Sequence, residues 1–194
     1  MRIIGGRFKS RRFDPPAKKW PTRPTTDFSK EGLFNILQNT LDFEKTKMLD
    51  LFGGTGSHCY EFISRGCRDA TYVDKFGGCI VFVKKMAKDL MIEQELKIIK
   101  SDVFRFINNC DEKFDYIFAG PPYPLVNLDT IPDRIFEADL LEEDGLFVLE
   151  HNPDHDFASH KYFQKSRNYG TTIFSFFVKG PINTQWGILA LAGA

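Results

Sequence analysis

The residues best suited to chemistry form a short turn, Gly120-Pro121-Pro122-Tyr123, that directly follows a strongly apolar segment. Two consecutive prolines fix two φ angles and remove two backbone donors, so the turn is rigid and keeps its carbonyl oxygens as acceptors. Such oxygens can accept hydrogen bonds from an exocyclic amine while the ring of Tyr123 stacks on the base, a contact worth about 1–3 kcal/mol. Group transfer to that amine would then depend mainly on alignment. An ordinary turn, with Tyr123 as a core aromatic, is the alternative interpretation.

A second group of residues is typical of a nucleotide-type cofactor site. The segment from Asp50 to Gly56 places glycines after an apolar strand and before a helix, where a backbone without β-carbons can approach a ligand closely. Asp74 and Asp102 end the next two predicted strands. We expect Asp74 to hold ribose hydroxyls and Asp102 to reach the adenine edge of a cofactor. A helix cap or a turn is the alternative role for each acid.

The acid of the first strand separates two cofactor classes. The carboxylate of Asp50 can meet a cationic or amino-acid end of a ligand, whereas it would repel the pyrophosphate of NAD. This position therefore favours S-adenosylmethionine over NAD.

The elements that would position these residues alternate between strands and helices. Strands are predicted at 47–52, 70–74, 96–100, 114–119 and 146–150, and helices at about 57–65, 79–91 and 103–110, with an earlier helix capped by Thr26 or Asp27. This alternation predicts an α/β fold with a mostly parallel sheet and right-handed crossovers. A late strand at 170–177 has no helix of the usual length beside it, so we expect it to add to the sheet as an antiparallel edge.

Charge is distributed unevenly along the chain. Residues 1–30 contain nine Lys or Arg against two Asp and carry +7, whereas the remainder carries −7. Residues 1–24 alternate basic and apolar positions, which predicts a hairpin or extended arm, and the tail at 179–194 has no predicted structure. A basic arm on an acidic body suits a phosphate-bearing partner, although a solvated arm without a ligand fits equally well.

Composition bounds the class of protein. The 194 residues are 42% hydrophobic and 27% charged, which is typical of one globular domain. Neither a membrane span nor a secretory signal is apparent, so we expect a cytoplasmic protein, and we expect a monomer. Four cysteines without a CxxC pattern and four scattered histidines support neither a metal site nor a catalytic triad.

Several segments together closely resemble the bacterial RsmD family, and the likeness runs from residue 1 to about residue 178. They are 1–6, 23–27 (Arg-Pro-Thr-Thr-Asp), 50–56, Glu61 with 64–66, and 120–123. The resemblance implies an S-adenosylmethionine-dependent enzyme that methylates the N2 amino group of a guanine in small-subunit (16S) ribosomal RNA. It also implies a Rossmann-like methyltransferase domain, placed here at 25–178, and an N-terminal basic hairpin at 1–24 that helps to grip the RNA.

The resemblance and the patterns above assign roles to individual residues. The predicted catalytic residues are Gly120, Pro121, Pro122 and Tyr123. The predicted cofactor-binding residues are Asp50, Phe52, Gly54, Gly56, Asp74, Asp102, Thr25 and Thr26. The predicted RNA-binding residues are Arg2, Arg7, Lys9, Arg11, Arg12 and Arg23, and no metal ligand is predicted.

Three positions depart from the family pattern. Gly120 stands where Asp is expected, Asp74 stands where Glu is common, and the segment 76–79 replaces a more polar helix start. Loss of the acceptor at residue 120 would cost about 1.5–3 kcal/mol of transition-state stabilisation, or one to two powers of ten in rate.

Alternatives therefore stay open at this point. A catalytically weak or inactive RNA-binding relative is one, and a DNA amino-methyltransferase is another, although the short chain offers no obvious target-recognition domain. An NAD-linked oxidoreductase is compatible with the fold class alone.

Overall fold

The structure, a computed structural model, describes residues 1–16, 20 and 26–180. The strands of this part of the chain are β1 Lys47–Leu51, β2 Asp69–Asp74, β3 Leu96–Lys100, β4 Phe114–Ala119, β5 Leu141–His151, β6 Phe163–Tyr169 and β7 Thr172–Phe177. The helices are α1 Asp27–Leu37, α2 Ser57–Ser64, α3 Gly77–Leu90, α4 Val103–Ile107 and α5 Ile131–Glu137.

All seven strands form one sheet in the order β3-β2-β1-β4-β5-β7-β6. The first five strands along the chain pair in parallel, and β7 pairs antiparallel with both β5 and β6. The chain order reverses between β1 and β4, and a crevice opens at such a switch point outside the carboxyl ends of the strands. The predicted functional residues follow the carboxyl ends of these strands in the sequence, so they are expected at this crevice.

The sheet buries side chains on both faces, because residues alternate along each strand. Met48 on β1 and Tyr116 on β4 pack in one cluster with α1, α2 and α3. Their neighbours Leu49 and Ile117 pack in a second cluster with α4 and α5. Two helical layers therefore cover the sheet and fix the positions of its strand ends.

The predicted α/β fold, with a mostly parallel sheet and antiparallel C-terminal strands, is confirmed. The predicted bounds of β3 and β4 match the structure, and the other predicted strands and helices begin or end a few residues away. The late strand is antiparallel as expected, but it lies inside the sheet, and the edge strand is β6. Neither β6 nor α5 was predicted, because β6 (Phe-Gln-Lys-Ser-Arg-Asn-Tyr) is polar, as edge strands often are, and α5 has only seven residues.

Residues 1–13 form a hairpin-like segment that packs on the rest of the fold. The amide of Ile3 donates to the carbonyl of Arg11 at 2.9 Å, and that of Phe13 donates to the carbonyl of Met1 at 3.1 Å. Both Ile3 and Phe13 are buried in the core cluster shared with α1 and α2. The basic side chains of the segment are thereby held on an ordered frame.

A buried carboxylate on α2 ties this hairpin to the domain. One oxygen of Glu61 accepts the amide of Ile4 at 2.6 Å and lies 3.1 Å from the ammonium of Lys30. That ammonium also donates to the carbonyl of Arg2 at 2.6 Å. Ser64, one turn further along α2, accepts the amide of Phe8 at 2.9 Å. The Glu61 segment of the sequence thus anchors the N-terminal hairpin.

Candidate active site

A cavity of about 620 Å³ lies at the carboxyl ends of the parallel strands. Four of its lining residues are acids that stand at or just after the ends of four strands: Asp50 on β1, Asp74 on β2, Asp102 after β3 and Glu150 on β5. The turn after β4 supplies another wall, through Gly120, Pro121, Pro122 and Tyr123. The structure therefore brings the glycine turn, the three predicted acids Asp50, Asp74 and Asp102 and the Pro-Pro-Tyr turn into one cavity, together with Glu150, which was not predicted.

The glycine turn is shaped by its backbone. Gly54 and Gly56 have φ angles of 53° and 77°, in the left-handed region that glycine adopts without a steric penalty. Gly53 lies so close to the ring of Tyr72 that a β-carbon there would stand 2.4 Å from it. Phe52, which lines the cavity, also has a positive φ of 60°, a conformation that is costly for a bulky residue and often found at ligand sites. The chain therefore accepts strain where it turns into the cavity.

The carboxylate of Asp74 holds the turn in place. Its two oxygens accept the amides of Gly54 at 2.9 Å and of Phe76 at 2.7 Å. Each carboxylate oxygen can accept more than one hydrogen bond, so the group keeps acceptor capacity toward a ligand hydroxyl. Asp74, which was predicted to bind ribose, therefore also stabilises the conformation of the glycine turn.

Asp102 is the N-cap of α4. One of its oxygens accepts the amides of Phe104 at 3.0 Å and Arg105 at 3.3 Å, and the other lies 3.7 Å from the ammonium of Lys75. The helix-cap role that the sequence left open is therefore realised, while the residue also lines the cavity.

Asp50 is the most deeply buried of the four acids, with 1% of its surface exposed. The thiol of Cys59 donates to it at 3.3 Å. Burial, with smaller contributions from the negative charges of Asp74 and Glu150, raises the pKa of Asp50 to about 8. An acid in this state is largely neutral near pH 7, and a cationic ligand group beside it would favour its ionised form.

The Pro-Pro-Tyr turn is held by side-chain contacts. The hydroxyl of Tyr123 donates to Glu150 at 3.3 Å and lies 3.3 Å from the hydroxyl of Thr172 on β7. The carbonyl of Pro122 accepts the amide of Leu125 at 2.9 Å, so one of the predicted carbonyl acceptors is already engaged within the turn. Gly120 donates its amide to Leu51 at 3.2 Å and thereby remains in register with β1.

Stacked rings of His58 and Phe118 lie next to the Gly120–Tyr123 turn. The imidazole of His58 stacks on Phe118 with 3.9 Å between ring centroids and lies 3.0 Å from the hydroxyl of Tyr116. Burial lowers the pKa of His58 well below its ordinary value, so the ring is neutral and serves packing. A β-carbon on Gly120 would stand 3.1 Å from the ring of Phe118.

Three of the predicted cofactor residues, Thr25, Thr26 and Gly56, are not among the described residues that line the cavity. The hydroxyl of Thr26 caps α1 by accepting the amide of Ser29 at 3.1 Å. Thr25, like the predicted RNA contact Arg23, lies outside the described residues, as does the tail from 181 to 194. Gly56 is the N-cap residue of α2 and acts through its backbone conformation.

The predicted RNA-binding side chains of the hairpin are exposed, and some have partners. Arg2 lies 3.4 Å from Asp27, and Arg7 lies 2.8 Å from Glu95. Arg11 and Arg12 line a smaller groove of about 420 Å³ together with Lys85 of α3. Exposed ion pairs are weak and easily exchanged, so these cations stay accessible to phosphates.

Sequence reasoning missed several residues of the cavity wall, among them Trp20, Phe76 and Glu150. Trp20 packs edge-on against Phe76, with centroids 5.9 Å apart, and both line the cavity. Glu150 was missed although it ends the fifth parallel strand, and the strand-end rule that selected Asp50 and Asp74 also selects it.

The donor set fits a particular ligand chemistry. Carboxylates accept hydrogen bonds from ammonium and hydroxyl groups and repel phosphates, so four acids around one cavity suit a cationic nucleoside. S-adenosylmethionine, with an ammonium, a ribose and a sulfonium, matches this set, and the flat walls of Trp20 and Phe76 suit its adenine. Within the described part of the chain, no group of three or more His, Cys, Asp or Glu is placed to hold a metal ion.

The chain matches one protein family and several proteins that are named as rRNA methyltransferases. The family described as Conserved hypothetical protein 95 matches residues 1–178. The Bacillus subtilis protein named "Putative rRNA methyltransferase YlbH" is 35% identical over 155 residues, which cover 78% of this chain and 83% of the relative. "Ribosomal RNA small subunit methyltransferase D" of Buchnera aphidicola is 27% identical over 150 residues, 77% of this chain and 75% of that protein.

Among solved structures, the T. thermophilus 16S rRNA N2 methyltransferase RsmC, in complex with AdoMet and guanosine, superimposes with a TM-score of 0.64. It is 20% identical, and the match covers 82% of this chain and 45% of that one. At this identity the likeness concerns the fold. None of the helices in residues 26–180 is both long and apolar enough to cross a membrane.

Proposed function

Because the chain belongs to the Conserved hypothetical protein 95 family, which is the RsmD family, we propose that it methylates the N2 amino group of a guanine in small-subunit (16S) ribosomal RNA, with S-adenosylmethionine as methyl donor. One observation carries the proposal: the strand-end acids and the Gly120–Tyr123 turn line the same cavity. Both curated relatives are named as rRNA methyltransferases.

The chain's own residues divide the work of holding the cofactor. Asp50 would hold the ammonium of the methionine moiety, Asp74 the ribose hydroxyls and Asp102 the adenine edge. The backbone of Phe52, Gly54 and Gly56 forms the turn. The bound cofactor supplies an electrophilic methyl group. The fit supports this assignment, because each acid already lines the cavity on a different strand end.

The Pro-Pro-Tyr turn positions the target base. Tyr123 would stack on the guanine, and the rigid turn would restrict the position of its amino group in the cavity. Pro121 is buried and Pro122 is exposed, so the turn is fixed on one side and open to RNA on the other.

The N-terminal residues 1–24 serve as the RNA-gripping arm and residues 25–178 as the methyltransferase domain. Arg2, Arg7, Lys9, Arg11, Arg12 and Arg23 contact phosphates of the ribosomal RNA or of the assembling small subunit. The anchoring of the hairpin through Glu61 supports this role, because anchored cations bind phosphate with less loss of chain entropy. The protein acts in the cytoplasm as a monomer.

The test combines binding and transfer. Calorimetry should detect S-adenosylmethionine binding, and a labelled methyl group should pass to 16S ribosomal RNA or to small subunits from a strain that lacks the modification. The same RNA with inosine at the modified guanine is the matched control, since inosine lacks the N2 amino group. Absence of both binding and transfer would refute the proposal.

Gly120 favours a second candidate, a catalytically weak or inactive relative that keeps the fold and binds RNA. It predicts tight RNA binding with negligible turnover, and a large gain in turnover on Gly120→Asp. Measuring transfer by both proteins on the same RNA separates the two candidates.

A further inference from the structure

The space beside Gly120 is faced by a carboxylate from the neighbouring strand. A β-carbon built on Gly120 would lie 3.9 Å from Oε2 of Glu150 and 3.1 Å from the ring of Phe118. The side chain that the family pattern places at residue 120 would therefore start between the ring of Phe118 and the carboxylate of Glu150. The register of β4 and β5 creates this proximity, because Ala119 pairs with Leu149 and the next residues along the chain are Gly120 and Glu150.

Glu150 is arranged so that its two oxygens face different partners. Its Oε1 accepts the hydroxyl of Tyr123 at 3.3 Å, and its Oε2 is the oxygen that lies 3.9 Å from the position of a β-carbon on Gly120. The side chain is 6% exposed and lines the cavity. One carboxylate thus links the ring that would stack on the base to the place where the exocyclic amine of that base would lie.

We propose that Glu150 is a catalytic residue: it supplies, from β5, the carboxylate that the Gly120 turn lacks, and it accepts a hydrogen bond from the N2 amino group of the target guanine. This inference rests on the proposed function and names the acceptor within the same site. A carboxylate acceptor restrains rotation of the amine and directs its lone pair toward the methyl group.

The reaction balances with Glu150 in this role. The lone pair of N2 forms the new N–C bond, the electron pair of the breaking S–C bond stays on sulfur, and the sulfonium becomes a neutral thioether. The nitrogen then carries one proton too many, which passes to the carboxylate of Glu150 and from there to water. No further reactant is needed.

The contact with the amine can be measured without the cofactor. Guanosine 5′-monophosphate and inosine 5′-monophosphate differ only by the N2 amino group, so the ratio of their affinities, from NMR titration of the cofactor-free protein, reports on its acceptor. The wild type should prefer the guanosine nucleotide, and Glu150→Gln should abolish most of that preference. Glu142→Gln, at an exposed position on the same strand, is the matched control and should keep the wild-type ratio. Equal affinities in the wild type would overturn the proposal.

Turnover gives the second readout. Glu150→Gln should lower kcat for RNA methylation by about 10- to 100-fold, the effect of one lost charge-assisted hydrogen bond. The melting temperature and the affinity for S-adenosylmethionine should show that the variant is folded and loaded. Full turnover by a folded Glu150→Gln variant would overturn the proposal.

The decisive variant moves the acid back to β4. Gly120→Asp should restore turnover in the Glu150→Gln background but give no gain in the wild type, where a second carboxylate would crowd the first. An equal gain in both backgrounds would overturn the proposal. If the wild type shows a Glu150-dependent preference for guanosine but neither binds S-adenosylmethionine nor methylates RNA, the contact holds and the proposed function fails.

Discussion

The two sides of the cavity hold their carboxylates in different ways. On the cofactor side, at the ends of β2 and β3, Asp74 and Asp102 are fixed by backbone amides. Those bound to Asp74 belong to the glycine turn after β1 and to Phe76, and those bound to Asp102 belong to the first turn of α4. On the catalytic side, at the ends of β4 and β5, Glu150 and Tyr123 are joined through their side chains, and Gly120 contributes none. An acid bound to backbone amides cannot be moved without disturbing the loop, whereas an acid held by side chains can be supplied from a neighbouring strand. The difference explains how the catalytic turn can lose its acid at residue 120 while the cofactor side keeps all of its acids.

The largest effect is expected when the hydrogen bonds between Asp74 and the backbone amides on the cofactor side are removed. Asp74→Ala removes the acceptor of the Gly54 and Phe76 amides together with the proposed ribose contact. We expect S-adenosylmethionine affinity to fall by at least 100-fold and the free energy of unfolding to fall by about 2–4 kcal/mol, since one buried and one partly buried donor lose a charged acceptor. Calorimetry and urea denaturation measure the two quantities.

Asp74→Glu is the control for that experiment, because it keeps the carboxylate and matches the residue common in the family. It should retain far more cofactor affinity than the alanine variant. Equal stability of the alanine variant and the wild type would mean that the amide contacts do not hold the turn.

A smaller effect is expected on the catalytic side. Tyr123→Ala removes the ring proposed to stack on the guanine, so RNA substrate affinity should fall by about 1–3 kcal/mol, while the affinity for S-adenosylmethionine stays within twofold of the wild type. Tyr123→Phe keeps the ring but loses the hydroxyl that contacts Glu150 and Thr172, and should therefore lower kcat more than RNA affinity. A large loss of cofactor affinity in either variant would contradict the separation of the two sides.

The same difference explains what the sequence could and could not predict. Asp50, Asp74 and Asp102 are recognisable because each ends a strand near a glycine turn or a helix start, and such signals are local. The strand-end rule also selects Glu150, but its closeness to Gly120 cannot be inferred from the local sequence, because it depends on the register of two strands about 30 residues apart in the chain. Trp20 was missed for a similar reason, since it reaches the cavity only by packing against Phe76 and Phe82. The edge strand β6 could not be predicted, because most of its residues are polar and only its pairing with β7 identifies it as a strand.

Asp50 is influenced by both sides of the cavity. Burial is the main cause of its raised pKa, and the charges of Asp74 on the cofactor side and Glu150 on the catalytic side raise it further. Its pKa is about 8 in the folded protein against an ordinary value of 3.8, so between these values the folded state binds more protons than the unfolded state, and stability falls as pH rises. Asp50→Asn should remove this dependence and flatten the melting temperature between about pH 5 and pH 8. Unfolding scans across that range measure it.

The raised pKa of Asp50 also predicts that binding of S-adenosylmethionine releases protons. An ammonium beside Asp50 favours the carboxylate, so below pH 8 the wild type should release up to about one proton on binding, and its affinity should rise toward pH 8. Calorimetry in buffers of different ionisation enthalpy counts that proton. Asp50→Asn should abolish its release, whereas Glu112→Gln should leave it unchanged, since hydrogen bonds from Lys47 and Lys97 hold the pKa of that surface acid at about 2. Glu150→Gln should shift the transition to lower pH, because it removes one of the charges that raise the pKa of Asp50. Binding without proton release in the wild type would place the ammonium away from Asp50.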